Sequence, residues 1–185
     1  AFAGCTSLTS IVIPSSVTTI ENGAFAGCTS LTSIVIPSSV TEIENYAFSN
    51  CTSLENVYYA GTIEDWCNIE FNCDPVTGVN SNPMFYAKHF YMLNSNNKYE
   101  KVTSIEIPDT VTSIGSHQFY GFNSVTSITI PSSVTSIGEF AFSNCTSLTS
   151  IVIPSSVTTI ENGAFAGCTS LTSIVIPSSV TTIEN

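Results

Sequence analysis

Positive charge is the scarcest property of this 185-residue sequence, which has three Lys and Arg residues against 14 Asp and Glu residues. The resulting net charge of −11 argues against nucleic acid as a partner. Proteins that bind nucleic acid use cationic surfaces to displace counterions from phosphates. The same charge argues against binding to anionic membrane surfaces.

Long apolar runs are also missing. No stretch approaches the roughly 20 apolar residues of a membrane-spanning helix, so we expect no membrane insertion. Hydrophobic residues make up 43% of the chain and are separated by Ser and Thr, which favours a packed core over disorder. The sequence opens on "AFAGC" and stops on "TTIEN", both in mid-repeat. We therefore expect a piece of a longer protein, from which missing targeting signals mean nothing.

A 23-residue segment is copied along the chain. Complete units occupy 8–30, 31–53, 102–124, 125–147 and 148–170, and a partial unit occupies 171–185. Residues 5–41 recur unchanged at 145–181, which suggests recent duplication without tailoring of individual units. A catalytic site needs unlike groups at one point, whereas copying supplies the same group at many points.

Each unit reads as one coil of a solenoid. Ile11, Val12 and Ile13 have the period of a strand, which Pro14 ends. A second short extended piece covers 17–20, and we expect Asn22 to cap a short helical turn over 24–26. One coil cannot bury its apolar residues alone, but stacked coils line them into a continuous core.

The pattern L-x-x-I-x-I-P-x-x-V-x-x-I-x-x-x-A-F-x-x-C resembles the BspA-like, or Treponema-type, leucine-rich repeat. The resemblance implies a mostly β leucine-rich-repeat solenoid of right-handed β/short-helix coils, with about eight layers in this chain. Ser16 and Ser39 occupy the position of the usual asparagine, so we expect no asparagine ladder. Phe122 and Gln118 replace the repeat Cys and Ala, and that coil is expected to pack less regularly because it follows the insertion.

The repeats at 1–57 and 102–185 are separated by an irregular insertion at 58–101, all within one solenoid. Thr62 and Asp65 predict a capped helix with Ile63, Trp66, Cys67 and Glu70 at helical spacing. We interpret "CDPVTGVNSNP" as a loop. The segments "AKHFYML" and "YEKVTSIEI" predict a hairpin whose second strand re-enters the repeat at Val102.

Five of the seven cysteines recur in the repeat frame: Cys5, Cys28, Cys51, Cys145 and Cys168. We expect them to be free, buried thiols, because a repeated Cys in an apolar frame usually acts as a small hydrophobic residue. A disulfide framework is the alternative, since neighbouring coils lie within bridging distance. For Cys67 and Cys73, the sequence does not decide between free thiols and a disulfide bond.

Sequence patterns for chemistry are weak. A pair such as Cys67 and His89 has the types of a nucleophile and a base, but an alternating strand and a helix face explain both residues. No cysteine spacing matches a zinc site, and "DPVTGVNSN" is a poor calcium loop. We therefore predict no catalytic, metal or cofactor site.

The outward face of the main sheet is the surface that a solenoid offers to a partner. Its predicted outward residues are Val12, Val35, Tyr58, Glu106, Thr129, Val152 and Val175, edged mostly by serines. This stripe is either a weak, multivalent contact surface or a passive sheet, since β-branched residues suit strands by themselves. Glu21, Glu44, Glu161 and Glu184 are expected to form a solvated acidic edge.

The insertion adds aromatic residues to this face. Tyr58 interrupts the stripe, and Trp66, Tyr86 and Tyr91 follow in sequence as candidate anchors. The alternative is that these aromatics only fill the irregular coil. If they bind, we expect a protein or glycan on host matrix or on another cell, with Tyr58 central.

Three functions remain. The resemblance implies a surface-displayed, adhesin-like binding module, extracellular and non-catalytic, because such proteins are commonly surface proteins of host-associated anaerobes. A structural spacer that presents another domain is the second. An enzyme is the third, although no convergent group of residues supports it. Uncapped end coils also predict possible end-to-end self-association.

Overall fold

The computed structural model describes residues 1–74 and 76–184. Their chain forms two compact units, Ala1–Lys101 and Val102–Asn185. The fold is a mostly β leucine-rich-repeat solenoid of stacked coils, as the repeat predicts.

The strands of the first unit are β1 Ser10–Val12, β2 Thr19–Ile20, β3 Ser33–Pro37, β4 Glu42–Ile43, β5 Asn56–Ala60, β6 Glu70–Phe71, β7 His89–Leu93 and β8 Tyr99–Lys101. They form a main sheet in the order β1-β3-β5-β7-β8 and a smaller sheet in the order β2-β4-β6. All pairs are parallel except β7 with β8. Helix α1 covers Ile63–Cys67, and a 3₁₀ helix covers Pro83–Phe85.

The second unit repeats this arrangement with β9 Ser104–Glu106, β10 Ser113–Ile114, β11 Ser127–Thr129, β12 Ser136–Ile137, β13 Ser150–Val152, β14 Thr159–Ile160 and β15 Thr182–Ile183. One sheet has the order β13-β11-β9, and the other has the order β10-β12-β14-β15. In each pair the residues face their equivalents in the next repeat, such as Ile128 with Ile151. The copied sequence therefore fixes the register, since a slip by one residue would turn the buried isoleucines outward.

Identical residues of successive coils stack on one another, in the core and at the exposed Phe2. The rings of Phe2, Phe25 and Phe48 follow at centroid distances of 5.5 Å with nearly parallel planes. In the second unit Phe119 and Phe142 stack at 5.5 Å and an angle of 4°. The Phe119 coil was expected to pack less regularly, but its ring keeps the stack.

Serine hydroxyls join successive coils at the position where an asparagine ladder was expected to be missing. Ser39 Oγ donates to the backbone carbonyl of Val17 at 2.7 Å, and Ser156 Oγ donates to that of Val134 at 2.6 Å. The asparagine is absent, but the serine satisfies a carbonyl of the preceding coil. We call this set the serine ladder: Ser39, Ser133, Ser156 and Ser179.

The predicted helical turn after Asn22 is wrong in detail. Residues 22–27 form successive turns, with bonds such as that from the Ala26 N–H to the Gly23 carbonyl. Gly23 and Gly27 have φ angles of 63° and 73°. Such left-handed residues interrupt a right-handed helix, so the chain turns without forming one.

The acidic edge was expected to be solvated, and part of it bonds between coils instead. A carboxylate oxygen of Glu44 accepts the Asn22 backbone N–H at 2.9 Å, and one of Glu161 accepts the Glu139 backbone N–H at 3.0 Å. Glu44 and Glu161 are half-buried, whereas the terminal Glu21 and Glu184 are exposed.

All seven cysteines have free thiols. Cys28, Cys51 and Cys145 are buried as predicted, and their Sγ atoms donate to a Phe carbonyl of the preceding coil at 3.1–3.2 Å. Burial raises the pKa of the Cys51 thiol to about 11. The prediction of burial is wrong for Cys5, which is exposed, and for Cys168, which is half-exposed, because no complete coil covers either one in this chain.

The predicted insertion supplies strands to both sheets of the first unit. Thr62 caps α1 through a reciprocal bond with Asp65, as expected. The helix ends at Cys67, and Glu70 lies in β6, so the predicted helical spacing to Glu70 is wrong. The hairpin of β7 and β8 is confirmed. Its second strand ends at Lys101, and β9 is a separate strand.

Candidate functional site on the outward sheet face

The outward face of the first unit carries one continuous row of side chains across the main sheet. Strand pairing sets Val12 beside Val35, Val35 beside Tyr58, Tyr58 beside Tyr91, and Tyr91 beside Lys101. Side chains alternate across a strand, so the buried neighbours of Tyr58, Val57 and Tyr59, point into the core. Val12 is 70% exposed, and Tyr58 is half-buried.

Three tyrosines form a cluster in this row. The rings of Tyr58 and Tyr91 are stacked, with centroids 4.8 Å apart and planes at 23°. Tyr99 meets Tyr58 edge-on at 5.1 Å and 68°. Burial raises the pKa of the Tyr99 hydroxyl. The structure thus brings together the predicted central residue Tyr58 and one predicted anchor, Tyr91.

Tyr99 is the member of the cluster that sequence reasoning missed. It pairs with Leu93 across the hairpin, and Lys101 pairs with Tyr91. Alternation along β8 places Tyr99 and Lys101 on the same face, outward like Tyr91. The sequence signal for Tyr99 was the alternation in "YEK", which puts Tyr99 and Lys101 on one face of the strand. That signal places Tyr99 beside Tyr58 and Tyr91 only when the register of the hairpin is known.

Trp66 is not a surface anchor. Its side chain is 0% exposed and lies among Tyr59, Phe71 and Phe90, with ring centroids 4.6–5.2 Å apart. The prediction that it contributes to a binding face is wrong, because α1 turns its apolar side toward the core. Trp66 fills the irregular coil, which was the alternative interpretation.

Tyr86 lies away from the cluster. Its hydroxyl oxygen accepts the backbone N–H of Asn50 at 3.1 Å, and its ring contacts Phe85. Asn50 belongs to a turn with a φ of 58° and not to the main sheet. Tyr86 therefore supports a turn and does not extend the row of Tyr58.

Two lysines and a histidine lie on or beside the strands that carry the tyrosines. Lys88 forms an ion pair with Glu55 at 2.9 Å, and this hydrogen bond lowers the pKa of the Glu55 carboxyl. His89 lies opposite Asn56 in the strand register, on the same face as Tyr91. Lys101 is exposed, and within residues 1–74 and 76–184 it makes no ion pair.

The outward face of the second unit is different. Its row consists of Glu106, Thr129, Val152 and Val175, joined by strand pairing and by the Val152–Val175 bridge. Val152 and Val175 are each 77% exposed. This row carries no aromatic ring and consists of one Glu, one Thr and two Val side chains.

Groups for other chemistry are few. Within residues 1–74 and 76–184, no group of three His, Cys, Asp or Glu side chains is placed to hold a metal ion. In the same part of the chain, no helix combines the length and apolar character needed to cross a membrane.

An apolar cavity of about 320 Å³ opens at the first coil, lined by Phe2, Ile11, Ile13, Val17 and Phe25 among others.

The repeat pattern and the solenoid decide the family. The chain matches the model of the BspA type leucine rich repeat region in 6 copies, over residues 1–94 and 94–185. It belongs to the BspA-type leucine-rich repeat family. None of the curated proteins matches this BspA-type chain significantly.

Solved bacterial structures resemble the BspA-type chain. A leucine-rich repeat protein from Bacteroides ovatus is 28% identical to this chain, with a TM-score of 0.58. The match covers 97% of this chain and 40% of the Bacteroides protein. The pneumococcal vaccine antigen PcpA is 21% identical, with a TM-score of 0.59, and the match covers 96% of this chain and 47% of PcpA. A leucine rich cell surface protein from Faecalibacterium prausnitzii is 27% identical, with a TM-score of 0.46, and the match covers 97% of this chain and 56% of that protein. The BspA-type chain thus spans about half the length of these proteins.

Proposed function

We propose that the chain is a non-catalytic, surface-displayed module that binds a partner on host matrix or on another cell, in the manner of an adhesin. The observation that carries the proposal is the tyrosine cluster of Tyr58, Tyr91 and Tyr99 on an exposed sheet face. Aromatic side chains with a polar group are typical anchors of interfaces. Membership of the BspA-type family supports surface display and an extracellular location.

The copied rows contribute differently in this proposal. Each coil with an outward Val or Thr offers a small contact, so one coil binds negligibly and several bind together through avidity. The tyrosine cluster supplies the specific contact. A structural spacer that presents another domain is the alternative, because a regular face of small side chains is what a passive sheet also shows.

A binding comparison between two single variants tests the proposal. The parent chain, Tyr58→Ser and Val152→Ser are passed over immobilised collagen, laminin and a glycan array, after their melting temperatures are shown to agree. We expect the parent to bind and Tyr58→Ser to lose about tenfold in affinity, as removal of an aromatic anchor does. Val152→Ser should remain within about twofold, because it removes one small contact among several.

The outcomes separate the alternatives. Equal binding by the parent and Tyr58→Ser would show that the site centred on Tyr58 is wrong. Absence of binding by the parent to every surface would favour the spacer.

A further inference from the structure

We propose that the partner of this surface is a protein and that the tyrosine patch recognises an acidic segment of it. We define the tyrosine patch as Tyr58, Tyr91, Tyr99, His89 and Lys101. The inference rests on the proposed binding function and adds the chemistry of the ligand. Three features of the patch support it: its ring geometry, its hydrogen-bond donors and its charge.

The ring geometry favours polypeptide over sugar. A sugar ring stacks on an exposed aromatic face. One face of Tyr58 is covered by Tyr91 at 4.8 Å, and the strand on the other side places Val35 next to Tyr58. Tyr58, the central ring, therefore lies between two neighbours and presents its edge and hydroxyl to a partner.

The hydroxyls are available as donors. Within residues 1–74 and 76–184, the phenol groups of Tyr58, Tyr91 and Tyr99 form no hydrogen bond, and all three side chains are half-exposed. Together with the Lys101 ammonium they form a set of O–H and N–H donors on one face. Carboxylates accept such bonds, and bonds to a charged partner are about twice as strong as neutral ones.

The charge of the patch is opposite to that of the chain. The net charge is −11, yet the patch carries Lys101, which makes no ion pair within residues 1–74 and 76–184. The other two lysines lie outside the patch, and Lys88 is paired with Glu55. The outward positions of β5, β7 and β8 carry no carboxylate: Asn56, Tyr58, Ala60, His89, Tyr91, Leu93, Tyr99 and Lys101. Glu100 lies on the other face of β8, and Asn94 Nδ2 donates to its carboxylate at 2.8 Å.

This arrangement of donors and charge favours an anionic partner for the patch. A cationic or neutral segment gains nothing from Lys101, whereas an acidic segment meets complementary charge and hydroxyl donors together. The rest of the chain repels the same segment, which confines binding to the patch. That confinement supplies specificity without a deep pocket.

The test uses a short fluorescein-labelled poly-L-glutamate as the probe and fluorescence anisotropy as the readout. Unlabelled heparin and poly-L-glutamine serve as competitors, and sedimentation of the parent chain alone measures its self-association. We expect poly-L-glutamate to bind the parent and to be displaced by unlabelled poly-L-glutamate alone. Affinity should fall as salt is raised, because exposed charges are screened.

Variants of the patch sharpen the test. Tyr91→Phe keeps the stacked ring and removes only the hydroxyl, so it should fold like the parent and bind several-fold more weakly. Lys101→Gln should lose up to about fivefold, the effect of one exposed ion pair. Lys98→Gln makes the same charge change in the hairpin turn, outside the patch, and should stay within about twofold.

Each other result overturns the proposal. Displacement by heparin as strong as by poly-L-glutamate would assign the patch to anionic glycans. Self-association of the parent chain that is weakened in Tyr91→Phe and in Lys101→Gln would make the partner a second copy. Binding unchanged in Tyr91→Phe and Lys101→Gln, or no binding of poly-L-glutamate at all, would reject acidic recognition. Loss of matrix binding by Tyr58→Ser would then still support the proposed function on its own.

Discussion

The outward row of the second unit and the tyrosine patch of the first are built on the same in-register strand pairing but carry different chemistry. The former presents Glu106, Thr129, Val152 and Val175, with exposed valines and no ring. The latter sets Tyr58 against Tyr91 and places Lys101 next in the row. Pairing in both rows comes from the backbone, so only the outward side chains distinguish them.

This difference separates the requirements of folding from those of recognition. A copied coil meets the same neighbours in every layer, and one sequence satisfies all of them. Its outward residues can remain small because they contribute nothing to the core. On the outward face of the first unit, unlike groups come together where copying stops, between β5 and β8. The specific contacts of the molecule are therefore expected there.

The largest expected effect concerns the core beneath the patch. Trp66 is 0% exposed and fills the irregular coil, as Phe142 fills a copied one. Trp66→Ala should lower the free energy of unfolding by about 3–5 kcal/mol, the usual cost of removing a buried large aromatic. Urea denaturation followed by far-UV circular dichroism measures this loss.

Phe142→Ala is the matched variant in the second unit and should cost a similar amount. A loss below about 1 kcal/mol for Trp66→Ala would contradict a buried role. Because Trp66 is the single tryptophan, its fluorescence gives a second check. Acrylamide should quench the emission weakly in the native protein and strongly in urea.

A smaller effect is expected in the copied coils, where the serine ladder joins layers. Ser156→Ala removes the donor that reaches the Val134 carbonyl at 2.6 Å. Loss of a donor to a part-buried carbonyl should cost about 1–2 kcal/mol. Ser16 has the same repeat position but has no such bond among the described residues. Ser16→Ala should therefore change stability by less than about 0.5 kcal/mol, and equal losses in both variants would argue against the ladder.

The sequence predicts the copied coils well because their signals are local. Apolar residues at fixed positions indicate the strands, and Pro14 marks an end. Equivalence of units then implies register, as Ile11 beside Ile34 shows. The serine ladder was not predicted, since Ser39 reads as a loss of asparagine until its Oγ is seen to reach the preceding coil.

The tyrosine patch was predicted only in part because its spacing departs from the repeat. Tyr91 lies 33 residues after Tyr58, not 23, so alignment on the repeat does not place it in the same row. For Trp66, the sequence left two interpretations, a surface anchor or filling of the irregular coil. A short helix does not reveal from sequence which side meets the core, and only the positions of Phe71 and Phe90 decide it.

The central claim is that Tyr58 and Tyr91 form one surface that the copied rows do not have. A double-mutant cycle of Tyr58→Ala and Tyr91→Ala, measured by urea denaturation, tests it most directly, with Thr129→Ala and Val152→Ala as the cycle for a copied row. We predict a coupling free energy of about 0.5–1.5 kcal/mol for the tyrosine pair, as stacked rings show. The copied pair is also a cross-strand pair but has no ring, so it should couple at the low end of such pairs, by about 0.2–0.4 kcal/mol. A tyrosine coupling no larger than that of the copied pair would contradict the account.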